Sequence, residues 1–163
     1  MAASTARVIL LEPEIPWNTG NAGRSVLAAG AELHLVNPAF SLDEKAVRRA
    51  GLDYWKHVPL SVWRDWSQVE DELLAGEEPW LISPEGSRAP WEVDLSSGCP
   101  TFVFGTESVG LPDSVRRRYA HRCLSLPMAP GIIRSLNLST TVGIVLWEQL
   151  RQSRGRQSRG EGD

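Results

Sequence analysis

Residues 7–36, RVILLEPEIPWNTGNAGRSVLAAGAELHLV, carry the reading on which the fold turns. Arg7 to Leu11 is a short apolar run that stops at Glu12 and Pro13, as a buried strand does, and Glu32 to Val36 alternates before Pro38. Between them Asn18 or Thr19 is suited to cap a helix from about Gly20 to Ala29, with Gly30 as its stop signal. Strand, helix and strand in this order make a β-α-β unit.

The pattern continues outward. A second helix fits Asp43 to Ala50, ended by Gly51, and a third fits residues 62–75, where Trp63, Trp66, Val69 and Leu73 recur at helical spacing. Trp80 to Ser83 and Thr101 to Phe104 read as buried strands, each running into a glycine-bearing turn. Pro112 opens a helix to about Tyr119, Arg122 to Leu126 returns as a strand, and Ser135 to Arg151 is a final amphipathic helix. About six strands and five helices in alternation predict an α/β fold, a mostly parallel six-stranded sheet with helices on both faces. The domain spans residues 1–152, and the tail 153–163, built of Ser, Arg, Gly, Gln, Glu and Asp, is expected to be disordered.

At 163 residues, 42% hydrophobic and 23% charged, the composition suits one domain with a real core. The longest aliphatic run, Val142 to Trp147, is far below the roughly 20 residues of a membrane span, and no signal-peptide hydrophobic region opens the chain. A soluble, cytoplasmic protein is expected. Cys99, Cys123 and three scattered histidines match neither a disulfide framework nor a metal knuckle, so neither is expected. A net charge of −3 gives no support to nucleic-acid binding, which must rest on local patches. Fifteen arginines against two lysines supply them: Arg48-Arg49, Arg116 to Arg118 with Arg122, and Arg151 to Arg159. The arginine fork suits bidentate phosphate contacts.

Familiar enzyme signatures fail. After Gly20 the dinucleotide fingerprint would need glycines where Ala22 and Ser25 stand, and Gly105 to Gly110 is one residue too long for a nucleophile elbow. What remains is three polar, glycine-bearing loops, Pro13 to Arg24, Phe104 to Pro112 and Leu126 to Ser139, each after a strand and before a helix. In this order, with Arg48 to Trp55 between, they strongly resemble the SPOUT superfamily of RNA methyltransferases, in particular the TrmL-type branch acting on the ribose of cytidine or uridine 34 of tRNA.

That resemblance implies a C-terminal deep trefoil knot, a homodimer, the tRNA anticodon stem-loop as substrate, and S-adenosylmethionine as cofactor with no metal. Carried over by motif, the cofactor contacts are Ile82, Gly105, Leu126 and Ser135, with Met128, Leu136 and Asn137 in the same loops. Loop backbone groups can read the edges of adenine while Ile82, Leu126 and Met128 cover its faces. Arg24 takes the place of the family's catalytic arginine, either activating the 2′-hydroxyl or gripping the adjacent phosphate and orienting that hydroxyl. The second role suits a guanidinium better, because a group that holds its proton so tightly is a poor base. Ser135 and Asn137, at the start of the last helix, can bond a carboxylate or ribose while capping. Glu107 matches the family acid and could face the cofactor's amine or orient an arginine. Val109 stands where that loop often carries an arginine, and Ala129 to Ser135 is one residue longer than the common pattern. A non-catalytic RNA-binding SPOUT protein is the alternative, against which Arg24, Ser135 and Asn137 argue.

Overall fold

The computed structural model describes residues 4–42 and 53–160. Its strands are β1 Arg7–Leu11, β2 Glu32–Val36, β3 Leu60–Trp63, β4 Trp80–Ile82, β5 Thr101–Phe104 and β6 Cys123–Leu124. They form one six-stranded sheet in the order β3-β2-β1-β5-β4-β6, and every adjacent pair is parallel. The helices are α1 Pro16–Ala29, α2 Trp66–Gln68 running on in a wider π-type winding over Val69–Leu74, α3 Asp113–Arg118 and α4 Leu138–Gly160. The helix expected over Asp43 to Ala50, with Arg48-Arg49, lies outside the described residues.

The period-two alternation of the strands divides the core. Val8, Leu10, Leu33, Leu35, Phe102 and Phe104 face Ala22 and Val26 of α1 and Val142, Val145 and Leu146 of α4. Ile9, Leu11, Leu81 and Val103 face Val69 and Leu74 of α2 and Val115 of α3. Each fully buried Val, Leu, Ile or Phe among them contributes about 1.5–3 kcal/mol. Burial on both faces is why β1 and β5 read as continuous apolar runs.

Three expectations are corrected. First, α1 starts at Pro16, one turn before Gly20, with extended Ile15 preceding it and no side-chain cap on Ile15. Proline at the first helical position outweighs the cap-type residues behind it, and Asn18 and Thr19 lie buried inside the first turn. Second, residues 60–63 are an edge strand pairing with β2, the sixth strand the sequence reading did not place. The helix begins only after Asp65, whose Oδ1 accepts from Gln68 N at 3.0 Å, so Trp63 ends a strand and its indole donates to His34 Nδ1 at 3.1 Å. Third, the last helix starts at Leu138 rather than Ser135 and runs through Gly160, where a disordered tail was expected. Its polar residues find polar partners: Leu95 N donates to Gln152 Oε1 at 2.8 Å, and Arg156 donates to Ser97 Oγ at 2.9 Å and lies 3.6 Å from Asp94. No helix among the described residues is long and apolar enough to cross a membrane.

Candidate active site

From β1 the chain builds toward β2 and β3 on one side, while β5, β4 and β6 lie on the other. The β1/β5 boundary is therefore a topological switch point, where parallel sheets leave a crevice at their carboxyl ends. A cleft of about 540 Å³ opens there, lined from the start of α1 by Ile15 and Asn18 and from the loops after β4, β5 and β6. The volume is that of a small-molecule site.

Close backbone packing shapes its walls. A Cβ on Gly105 would stand 2.1 Å from the carbonyl carbon of Gly110, so the loop after β5 closes on itself only with glycine there. Two hydrogen bonds complete that closure, Thr106 N to Gly110 O at 3.1 Å and Gly110 N to Thr106 O at 3.0 Å. In the loop after β4, a Cβ on Gly86 would stand 2.3 Å from the Leu124 carbonyl carbon. There Ser83 N donates to Leu124 O at 2.9 Å, Ser125 N to Arg88 O at 2.8 Å and Ser125 Oγ to Gly86 O at 2.8 Å.

The cleft brings together Ile82, Gly105, Leu126, Met128, Ser135, Leu136 and Asn137, all of which the sequence pointed to. Among the described residues the Ser135 hydroxyl has no hydrogen-bond partner and is open to a ligand. Asn137 is differently employed. Its Oδ1 accepts from Ser139 N at 2.9 Å and Ser139 Oγ at 2.7 Å, capping α4, while its Nδ2 donates to Asn18 Oδ1 at 2.8 Å. Asn18 Nδ2 in turn donates to Glu107 Oε1 at 3.0 Å. The Glu107 carboxylate also accepts from Glu14 N at 2.9 Å and Ile15 N at 3.3 Å. Glu14 returns the arrangement by accepting from Ser108 Oγ at 2.8 Å and Ser108 N at 3.1 Å. Glu107 thus supplies the negative charge that Ile15 lacks at the start of α1, and among the described residues it pairs with no arginine. Sequence reasoning missed Asn18 as the link between two loops, because its residue type and position suggested a cap.

Charges in the cleft are largely paired. Arg116 is bound to both Glu85 and Asp113, and the Glu85 carboxylate holds its pKa above the ordinary guanidinium range. Arg134 also lines the cleft, exposed and without an acidic partner among the described residues. The remaining arginine cluster disperses: Arg118 pairs with Glu70 at 3.3 Å, and Arg122 lies 3.8 Å above the Trp80 ring, its pKa lowered by burial.

Arg24 does not line the cleft. It is exposed on α1, six residues beyond Asn18, or about 9 Å along the axis at 1.5 Å per residue. Its guanidinium stacks 4.9 Å from the Tyr54 ring centroid, and the Tyr54 hydroxyl donates to Gly20 O at 2.9 Å. The arginine is held in place by an aromatic face that is itself tied to α1.

The sequence matches the SpoU rRNA Methylase family over residues 5–147. It is 43% identical over 153 residues to a Burkholderia ambifaria protein named tRNA (cytidine(34)-2'-O)-methyltransferase, covering 90% of this chain and 94% of the relative. A solved structure described as "Structural insights into the 2-OH methylation of C/U34 on tRNA" superposes with a TM-score of 0.83 at 36% identity, covering 93% of this chain and 92% of the other. The AdoMet-bound rRNA methyltransferase from Sinorhizobium meliloti superposes with a TM-score of 0.78 at 26% identity, covering 90% of this chain and 56% of the other.

Proposed function

The chain belongs to the SpoU rRNA methylase family, and from that premise we propose that it transfers a methyl group from S-adenosylmethionine to the ribose 2′-hydroxyl of nucleotide 34 of tRNA. The observation that carries this is the convergence of three separate loops, through Ile82, Gly105, Leu126, Met128, Ser135 and Leu136, on one cleft at the switch point.

The cleft fits the cofactor. Ile82, Leu126, Met128 and Leu136 offer apolar faces for an adenine plate, Gly105 leaves no side chain between it and the loop backbone, and Ser135 supplies an uncommitted hydroxyl. When bound, S-adenosylmethionine supplies a sulfonium methyl with its own leaving group.

The protein's task is alignment. Asn137, fixed by Asn18 and Ser139, positions the loop carrying Ser135 and Leu136 and is a positioning residue. Arg24, steadied over Tyr54, grips the phosphate beside the target ribose and orients the 2′-hydroxyl, whose proton passes to water as the new bond forms. The guanidinium serves there as an orienting cation, its planar fork matched to phosphate oxygens.

Two finer features belong to this reading. The C-terminal segment threads a deep trefoil knot. In support, the loop after β4 bonds Leu124 and Ser125 from both sides, and its later part is tied to α4 through Leu95 N and Pro90 O, both bonded to Gln152. Two chains pair through α4, whose Ile144 and Trp147 are 37% and 50% exposed one helical turn apart.

The test uses purified protein, radiolabelled S-adenosylmethionine and an anticodon stem-loop RNA. Label enters the RNA with ribose at position 34 and is absent from the same RNA with 2′-deoxyribose there. Equal labelling of both RNAs overturns the proposal.

A further inference from the structure

Among the described arginines, six reach carboxylates: Arg7, Arg64, Arg116, Arg118, Arg151 and Arg156. A carboxylate occupies the N–H edge of a guanidinium, whereas an aromatic ring takes up only a face and leaves that edge free. Arg24 on Tyr54 is held in the second way. Among the described residues one other place repeats the arrangement, and there two arginines share one ring. The guanidinium carbon of Arg122 lies 3.8 Å and that of Arg88 5.9 Å from the ring centroid of Trp80. The two cations are therefore within about 10 Å of each other, inside one Debye length at 0.1 M salt.

The sheet explains why they meet. Leu81 pairs with Cys123 and Ile82 with Leu124 across β4 and β6, so Trp80 and Arg122 stand side by side one residue earlier, on one face. Arg88 bridges Leu124 on the side away from β4, at the β6 edge of the sheet, and its Nη2 donates to His121 O at 3.1 Å. Neither guanidinium is bonded to a carboxylate of any described residue, and Arg122 Nε is buried without a partner among them. Burial lowers the pKa of Arg122; Glu78, itself held by His121 at 3.2 Å, works against that shift, and Arg88 adds to it. Two cations on one ring, with no acid bonded to either, repel each other until an anion arrives.

The position says which anion. Trp80 stands two residues before Ile82 of the cleft, about 7 Å along β4 at ~3.3 Å per residue. Arg88 follows on the loop whose Ser83, Pro84 and Glu85 line the same cleft. It is exposed at the sheet's edge, so the site is a surface that a polymer can cross, not an enclosure for a small ion. Building on the proposed tRNA methyl transfer, we propose that Arg88 and Arg122, ordered on Trp80, bind backbone phosphate of the RNA whose nucleotide enters the cleft. A phosphate contact reads no base, so the pair contributes affinity and register and leaves the choice of nucleotide to other groups.

The experiment has a protein-only arm and an RNA arm. Both use wild-type protein, a variant combining Arg88→Gln with Arg122→Gln, and one combining Arg88→Lys with Arg122→Lys. In the first arm, thermal unfolding compares inorganic phosphate with chloride at equal ionic strength. Phosphate raises the midpoint of the wild-type protein further than that of the Gln variant, because a bound anion adds to the general stabilising effect that both share. In the second arm, binding of an anticodon stem-loop RNA is measured against salt. The Gln variant lowers the slope of log affinity against log salt by at least about one, so going from about 50 to about 200 mM salt costs it roughly threefold less affinity than it costs the wild type. The Lys variant keeps both charges and stays near the wild-type slope. Affinity for S-adenosylmethionine is the same in all three proteins, since neither arginine lines the cleft.

Equal phosphate shifts in the wild type and the Gln variant overturn the proposal. An unchanged slope in the Gln variant also overturns it, and together with a phosphate effect confined to the wild type would give the pair to a free phosphate instead of RNA. A Lys variant whose slope falls as far as that of the Gln variant traces the loss to packing on Trp80 and overturns the proposal too, as does a change in cofactor affinity. Wild-type protein that does not bind the RNA brings down the transfer reading together with this contact. Wild-type protein that binds and methylates the RNA with the slope of the Gln variant brings down the arginine pair alone.

Discussion

Replacing Glu107 by alanine removes one of the two carboxylates that tie the loop after β5 to the start of α1, the other being Glu14. Three donors lose their acceptor: Glu14 N, Ile15 N and Asn18 Nδ2. The two backbone groups belong to exposed residues and turn to water, so their loss is confined to the charge at the helix start, about 0.3–1 kcal/mol. Asn18 is 7% exposed, and its amide, still bonded to Asn137 through Oδ1, is left with an unsatisfied buried donor that costs about 1–3 kcal/mol. Together the variant loses about 1–4 kcal/mol. Glu107→Gln, which keeps one acceptor oxygen, loses about half as much. Urea unfolding monitored by tryptophan fluorescence reads the stability. Calorimetry of S-adenosylmethionine binding reads the cleft, where affinity falls about tenfold for each ~1.4 kcal/mol of loop ordering that binding must then supply. An Ala variant within about 0.5 kcal/mol of wild type, the range of an ordinary surface substitution, would refute the capping role.

Arg24→Ala is expected to abolish methyl transfer while calorimetry shows nearly unchanged cofactor affinity, because Arg24 lies outside the cleft; near-normal turnover would remove it from the mechanism. Gly86→Ala is expected to destabilise by more than about 1–3 kcal/mol in urea unfolding, since the intruding Cβ meets Leu124 backbone rather than a flexible side chain. Burial and the hydrogen bond to Glu70 push the Tyr119 phenol up to about 12. Its raised pKa means that the folded state holds the proton more tightly, so this contribution to stability is complete below about pH 10 and is lost as pH rises toward 12. Tyr119→Phe should therefore flatten the fall in unfolding midpoint between these pH values, and an identical slope in both proteins would contradict the assignment.

Local signals made much of the architecture legible. Arg7 to Leu11, Glu32 to Val36 and Thr101 to Phe104 read as strands because their side chains are buried on both faces, and the glycine-bearing loops marked the carboxyl ends where the cleft opens. Legibility failed where local signals conflicted. Tryptophans at helical spacing drew residues 62–63 into a helix, although Leu60–Trp63 satisfies its backbone against β2. Polar composition suggested disorder from Ser153 on, yet Arg156 finds its partners at Asp94 and Ser97, a contact no local pattern announces. The same limit applies to the site. Residue type placed Ser135 and Leu136 at the cleft, but the union of Asn18, Glu107 and Asn137 joins residues 89 and 119 positions apart. It exists only once the sheet has brought their loops together.

The central claim, methyl transfer to the ribose of tRNA nucleotide 34, is tested most directly by mass-spectrometric mapping of tRNA from cells with and without this gene. A 2′-O-methyl nucleoside at position 34, present with the gene, absent without it and restored by the purified protein with S-adenosylmethionine, is the predicted result. An unchanged position 34, or a lost methyl group that maps to a base or to another nucleotide, would contradict the account.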